Sequence, residues 1–129
     1  MNPVMHFEMP YDDHARVMKF YNNVFGWELK KLGEDMGNYV LATTANKDVK
    51  PNVPRGAIGG GFFPRNPSMP AQYPSVVMSV ENIKTTMKKI EVEGGKILGE
   101  PMQIPGVGMY VSFIDTEGNR VSILQPNPM

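Results

Sequence analysis

The stretch Gly37-Asn38-Tyr39-Val40 is echoed later in the chain by Gly108-Met109-Tyr110-Val111. Each Gly-X-Tyr-Val motif leads into an apolar run, and each follows a segment in which a helical pattern ends at glycine. Outward from the two motifs, residues 4–63 and 75–127 both read strand, helix and then further strands. An internal repeat of this kind indicates two similar structural units. We expect the two units to bury their apolar sheet faces together and to leave a ligand space between them.

The composition is that of a soluble globular protein. Of 129 residues, 41% are hydrophobic and 20% are charged, which suits a single domain over residues 1–129. Thirteen basic residues balance thirteen acidic ones, so nothing predicts binding to nucleic acid or to a membrane surface. The chain has no cysteine and begins without a signal-peptide pattern, which favours a cytoplasmic location.

Residues 4–9 alternate so that Met5, Phe7 and Met9 share one strand face while His6 and Glu8 share the other. We expect the first face to pack against a helix. The second face would then carry an imidazole and a carboxylate on the opposite side of the sheet.

The remaining elements are predicted from apolar spacing, helix caps and glycine positions. In the first half they are a helix from Asp12 or Asp13 to about residue 24 with a buried stripe of Val17, Phe20, Tyr21 and Val24, a hairpin of strands 27–32 and 38–44, a mobile loop at 45–55 and a strand at 56–63. A linker at 64–74 precedes the second half, which comprises a strand at 75–80, a helix capped by Asn82 with a stripe of Ile83, Met87 and Ile90, and strands at 96–99, 109–114 and 120–125.

Several spaced motifs carry a resemblance to a known family. They are His6-Phe7-Glu8-Met9-Pro10, Phe20-Tyr21, Val24-Phe25-Gly26-Trp27, Glu93-Gly94-Gly95-Lys96 and Asp115-Thr116-Glu117-Gly118-Asn119. In this order they resemble the vicinal-oxygen-chelate superfamily, which includes glyoxalase I, bleomycin-resistance proteins and extradiol dioxygenases. The resemblance implies an α+β fold in which two βαβββ modules, 4–63 and 75–127, form a cupped mixed sheet with the helices packed outside. It also implies a small-molecule ligand and a homodimer.

Metal-dependent members of that superfamily bind one divalent ion through four side chains. The resemblance places these positions at His6, among Gly59, Gly60 and Gly61, at Ser75 and at Ser122. Only His6 keeps a good ligand, because serine hydroxyls bind divalent ions poorly and glycine has no side chain. We therefore expect no cofactor and no complete metal site. A weakly held divalent ion that uses His6 remains the alternative.

His6 and Glu8 are the candidate catalytic residues. His6 could act as a general base or hydrogen-bond a ligand carbonyl, or it could be a structural histidine at an old ligand position. Glu8 could be a base in a dry cavity, or it could pair with Arg65, Arg120 or a lysine. Both interpretations stay open for each residue.

The candidate ligand-binding residues are hydroxyl-bearing, aromatic or cationic. They are Tyr39, Phe62, Arg65, Ser75, Tyr110 and Ser122. For the tyrosines and Phe62, packing in the core is the competing interpretation. Arg65 could bind an anionic group or lie exposed in the linker.

Two functions follow from these residues. The first is a protein that binds a small, partly apolar molecule in the cavity of the cupped sheet without a complete metal site. The second is a lyase, isomerase or dioxygenase-like enzyme that uses His6 and Glu8, with or without a weakly bound metal. Fold alone does not select between them.

Overall fold

Residues 1–45 and 57–128 are described by a computed structural model. In chain order its elements are β1 (Val4–Tyr11), α1 (His14–Phe25), β2 (Glu28–Lys31), a 3₁₀ turn (Glu34–Met36), β3 (Val40–Thr43), β4 (Gly60–Pro64), β5 (Ser75–Ser79), α2 (Ile83–Val92), β6 (Lys96–Ile104), β7 (Gly108–Ile114) and β8 (Arg120–Pro126).

The strands form one mixed sheet in the order β2-β3-β4-β1-β5-β8-β7-β6. The pairs β1–β4 and β5–β8 are parallel, whereas the central pair β1–β5 and the outer hairpins are antiparallel. Both helices cover the same face of the sheet, and the opposite face is concave. The predicted α+β class with a cupped sheet and outer helices is confirmed.

Each helix packs over its own half of the sheet. Beneath α2, the buried residues Val80, Val111 and Ile123 meet Met87 and Ile90 of the predicted stripe. Beneath α1, a second set of buried residues forms the other core cluster, which comprises Tyr11, Val40, Ala42 and Phe62. Side-chain caps begin both helices, because Asp13 accepts from the Arg16 amide and Asn82 accepts from the Thr85 amide.

The predicted stripe of α1 is partly wrong. Val17 and Tyr21 face the core together with Met18, but Phe20 is 54% exposed and Val24 is 57% exposed. Phe20 and Val24 lie on the same flank of the helix, and the helix is rotated so that this flank faces outward. The apolar spacing predicted the existence of the stripe but not its rotation about the helix axis.

Several predicted boundaries also shift. Strand β6 runs to Ile104 rather than residue 99, because a register shift between Leu98 and Met102 lets pairing with β7 resume. Strand pairing reaches the start of the predicted linker, where the Arg65 amide donates to the Tyr11 carbonyl at 2.9 Å. The predicted mobile loop at 45–55 lies outside the described residues, except for residue 45.

Neither helix in the described ranges is long and apolar enough to cross a membrane.

The glycine of the second Gly-X-Tyr-Val motif fills a position that no other residue fits. Gly108 has φ +153°, and a Cβ there would overlap the carbonyl of Gln125 on β8. By contrast, Gly106 has φ +75° and open space at the Cβ position. Close pairing of β7 with β8 therefore depends on Gly108.

We expect Gly108→Ala to lower the free energy of unfolding by about 3 kcal/mol, because backbone strain and an overlap with β8 add together. Gly106→Ala is the matched control and should lose about 1 kcal/mol, the left-handed penalty alone. Urea unfolding of both variants measures the difference. Equal losses would show that β7 and β8 do not pack as closely as described.

Candidate active site on the concave face

Strand β1 brings His6 and Glu8 to the concave face. Their neighbours Phe7 and Met9 pack into the cluster beneath α1, and strand alternation turns His6 and Glu8 the opposite way. Glu8 lies opposite Gly61 of β4 on one side and opposite Ser75 of β5 on the other. The carboxylate therefore starts from the centre of the eight-stranded sheet.

Hydroxyl groups from the second half of the chain surround the Glu8 carboxylate. The Tyr110 hydroxyl donates to Glu8 Oε1 at 2.5 Å and lies 2.7 Å from Ser122 Oγ, which is 2.8 Å from Ser112 Oγ. Glu8 is 9% exposed, Ser112 6% and Ser122 2%. Because the Tyr110 proton goes to the carboxylate, its oxygen accepts from the serines. A short bond to a charged acceptor is the strong kind of hydrogen bond.

Tyr39 approaches the same carboxylate from the first half. Its hydroxyl lies 2.8 Å from His6 Nε2, and its ring lies over Gly61, where any Cβ would overlap it. Burial, the charge of Glu8 and hydrogen bonding to Glu8 together raise the pKa of Tyr39. Burial and then Glu8 likewise raise the pKa of Tyr110. Both phenols therefore keep their protons and act as donors at neutral pH.

His6 is neutral at the same pH. Burial lowers its pKa below the ordinary value of 6.5, and the nearby Glu8 charge opposes this only in part. With the proton on Nε2, His6 donates to the Tyr39 oxygen, and the Tyr39 proton is then left to point toward the nearby Glu8 charge. This tautomer leaves Nδ1 as an acceptor.

A cavity of about 340 Å³ opens beside His6. That volume suits a small organic molecule. The lining is a mixture of apolar and polar surface, and its members are His6, Leu41, Ala42, Thr43, Thr44, Ala45, Ala57, Ile58, Gly59 and Gly60. A ligand here would meet an apolar wall and one imidazole.

The structure gathers most of the sequence-predicted site residues. Tyr39 bonds to His6, while Tyr110 bonds to both Glu8 and Ser122, and the charge of Glu8 also acts on Tyr39. Ser75 lies beside them in the sheet, directly opposite Glu8.

Two predicted ligand-binding residues lie elsewhere. Phe62 is 1% exposed in the cluster beneath α1, with its ring centroid 5.0 Å from that of Tyr21. It belongs to the helix-facing side of β4, so its neighbour Phe63 faces the concave side instead. Arg65 pairs with Asp12 at 3.0 Å on the exposed surface and does not reach the network.

Sequence reasoning missed Ser112 as part of the site and gave Arg120 no role beyond a possible partner for Glu8. The strand spacing could have identified both residues. Ser112 lies two residues after Tyr110 on β7, and Arg120 lies two residues before Ser122 on β8, so each pair shares a strand face. The alternative that Glu8 pairs with Arg65 or Arg120 is wrong, since neither lies within 4.0 Å of its carboxylate, and no lysine in the described ranges does so either. Hydroxyl donors take that place.

The residues present do not fit the metal site that the resemblance implies. The Tyr39 ring occupies the space above Gly61, and His6 Nε2 is bonded to the Tyr39 hydroxyl. Ser122 is a neutral hydroxyl already bonded to its neighbours. Within residues 1–45 and 57–128, no three His, Cys, Asp or Glu side chains gather as a metal-binding group.

The sequence of this chain matches one protein superfamily over most of its length. Residues 4–123 match the profile of the Glyoxalase/Bleomycin resistance protein/Dioxygenase superfamily, and the chain belongs to it.

Curated relatives carry names from the same family. A glyoxylase-like domain-containing protein of Didymella fabae is 28% identical over 119 residues, which are 90% of this chain and 88% of that protein. A putative glyoxylase, CFP32, of Mycobacterium bovis is 32% identical over 71 residues, 55% of this chain. That match spans only 27% of the mycobacterial protein.

Solved structures of methylmalonyl-CoA epimerases share the fold. The enzyme from Mycobacterium tuberculosis matches with a TM-score of 0.68 over 97% of this chain and 88% of its own, at 14% identity. A variant of the Streptomyces coelicolor enzyme in complex with 2-nitronate-propionyl-CoA matches with a TM-score of 0.67 over 99% of each chain, also at 14% identity. At this identity the likeness shows the fold alone.

The lowered pKa of His6 predicts a pH-dependent stability. Below the unfolded-state pKa of 6.5 the unfolded chain takes up a proton that folded His6 resists. Stability should therefore fall as the pH drops from 6.5 toward the lower folded pKa, by about 1.4 kcal/mol for each unit of the shift. His6→Gln should remove this contribution, as measured by urea unfolding between about pH 7.5 and pH 5.

The control is His14→Gln, since His14 is the other histidine and lies exposed at the start of α1. Its pH profile should match that of the unmodified chain. A profile of His6→Gln that also matches would contradict a buried, neutral His6.

Proposed function

We propose that this protein binds a small, partly apolar molecule on the concave face of its sheet without needing a complete metal site. One observation carries the proposal. The centre of the face holds hydrogen-bonded hydroxyl, imidazole and carboxylate groups from both halves of the chain, beside a cavity whose lining is partly apolar. Such a combination of an apolar wall and a few placed polar groups is typical of small-molecule sites.

The polar contacts offered to the ligand come from His6 and its surroundings. His6 borders the cavity, while its Nε2 atom is held by Tyr39. A ligand hydroxyl or amide could therefore donate to Nδ1 while its apolar part lies against Leu41 and Ile58. This arrangement orients a ligand by hydrogen bonds and requires no ion.

Enzymatic activity is the second candidate, as a lyase, isomerase or dioxygenase-like catalyst. It is favoured by the combination of a buried carboxylate, Glu8, and a neutral imidazole, His6, on one strand face. Glu8 is 9% exposed and its Oε1 atom accepts from the Tyr110 hydroxyl, so little of the carboxylate is open to a substrate. Because the carboxylate is covered in this way, we place ligand binding before catalysis as the proposed function. The cytoplasmic location and the homodimer stay predictions.

The test uses protein dialysed against a chelator. A library of small aromatic and aliphatic amides and acids is screened by thermal shift, and stabilising compounds are confirmed by calorimetry. A true ligand raises the unfolding temperature with concentration, because it binds the folded state alone. We expect Thr43→Trp, which fills the cavity, to weaken such binding about tenfold or more.

The matched control is Thr85→Trp, at an exposed position of α2 far from the cavity. It should bind as the unmodified chain does. Binding that requires added divalent metal, or that Thr43→Trp leaves intact, would contradict the proposal. Conversion of a bound compound that is lost in Glu8→Gln would establish the second candidate instead.

A further inference from the structure

Arg120 is a charged residue of the concave face whose buried Nε atom has no hydrogen-bond partner among the described residues. It begins β8, two residues before Ser122 and therefore on the same face. Its guanidinium carbon lies 5.7 Å from the centroid of the Phe63 ring on β4. Since β1 and β5 lie between β4 and β8, this contact reaches across the hollow of the sheet.

The hydrogen-bonding capacity of Arg120 is poorly met. Its Nη2 donates to Ser112 Oγ at 3.3 Å, a long bond to a neutral acceptor. Its Nε is buried and has no partner among the described residues. No carboxylate in the same ranges lies within 4.0 Å of the guanidinium, whereas Arg65 has such a partner in Asp12.

A buried N–H without an acceptor is energetically unfavourable, more so on a charged group. Arginine donates through Nε and one Nη in a fork that matches the two oxygens of a carboxylate. The unmet Nε–H and the weakly bonded Nη2–H are the two donors of that fork. A planar anion would satisfy both at once.

Phe63 adds an apolar surface directly beside this fork. Because Nε is buried, a ligand would reach it only after Arg120 or a neighbouring side chain moves. The ring could then contact the apolar body of the ligand. The negative charge of Glu8, on the same face, disfavours an anion near itself and so directs the acidic group toward Arg120.

We propose that Arg120 binds the carboxylate of a small, partly apolar acid on the concave face. This inference rests on the proposed function, because it assigns a chemical class to the ligand of the same face. It transfers to Arg120 the anion-binding role that Arg65, paired with Asp12 at the surface, does not fill.

The probes are benzoate and benzamide, which have nearly the same shape and differ in charge. We expect the unmodified protein to bind benzoate at least about tenfold more tightly than benzamide in calorimetry. Arg120→Gln should abolish this preference, and Arg120→Lys should retain part of it, because the charge remains while the fork is lost. The Nε–H resonance of Arg120 should shift when benzoate is added and not when benzamide is added.

Arg65→Gln is the matched control and should keep the full preference. Circular dichroism and thermal unfolding establish that each variant is folded. Equal binding of the two probes, a preference that survives Arg120→Gln, or no binding of benzoate overturns this inference. Neutral compounds whose binding is still weakened by Thr43→Trp in the library screen would show that the proposed function survives such a failure.

Discussion

The hydrogen bond from the Tyr110 hydroxyl to the Glu8 carboxylate is the interaction on which the concave face depends. It joins side chains 102 positions apart, one from the first strand of the first half and one from a strand of the second. A carboxylate at 9% exposure is unfavourable unless donors surround it. Tyr110 supplies one donor directly, and the serines behind it hold the phenol in place. The two halves therefore meet through their polar groups on this face and through the shared sheet beneath.

Tyr39 extends the same arrangement and decides what the face can bind. Its ring lies above Gly61, and its hydroxyl bonds to His6 Nε2, so the histidine and the glycine-bearing strand do not face open space. The resemblance to the superfamily implies metal ligands at the corresponding positions. Here uncharged hydroxyls, a neutral imidazole and one carboxylate bond to one another. Such a set can orient an organic ligand through hydrogen bonds, and it leaves Arg120 without a carboxylate partner among the described residues.

The sequence predicted what depends on local period and on the repeat. Alternation along β1 placed His6 and Glu8 on one face, and the repeated Gly-X-Tyr-Val motif marked both tyrosines of the network. What could not be predicted depends on curvature and rotation. The choice between Phe62 and Phe63 needed the phase of β4, and the exposure of Phe20 needed the rotation of α1. Arg120 reaches Phe63 only because the sheet curves across two intervening strands, which no spacing in the chain records.

The metal content of untagged protein tests the central claim most directly, namely that hydroxyl groups rather than an ion organise the concave face. The protein would be exposed to nickel, zinc, manganese and ferrous iron, desalted and measured by mass spectrometry. The account predicts that no metal is retained near one ion per chain, and that His6→Ala changes nothing. Retention near one ion per chain that disappears in His6→Ala would contradict it.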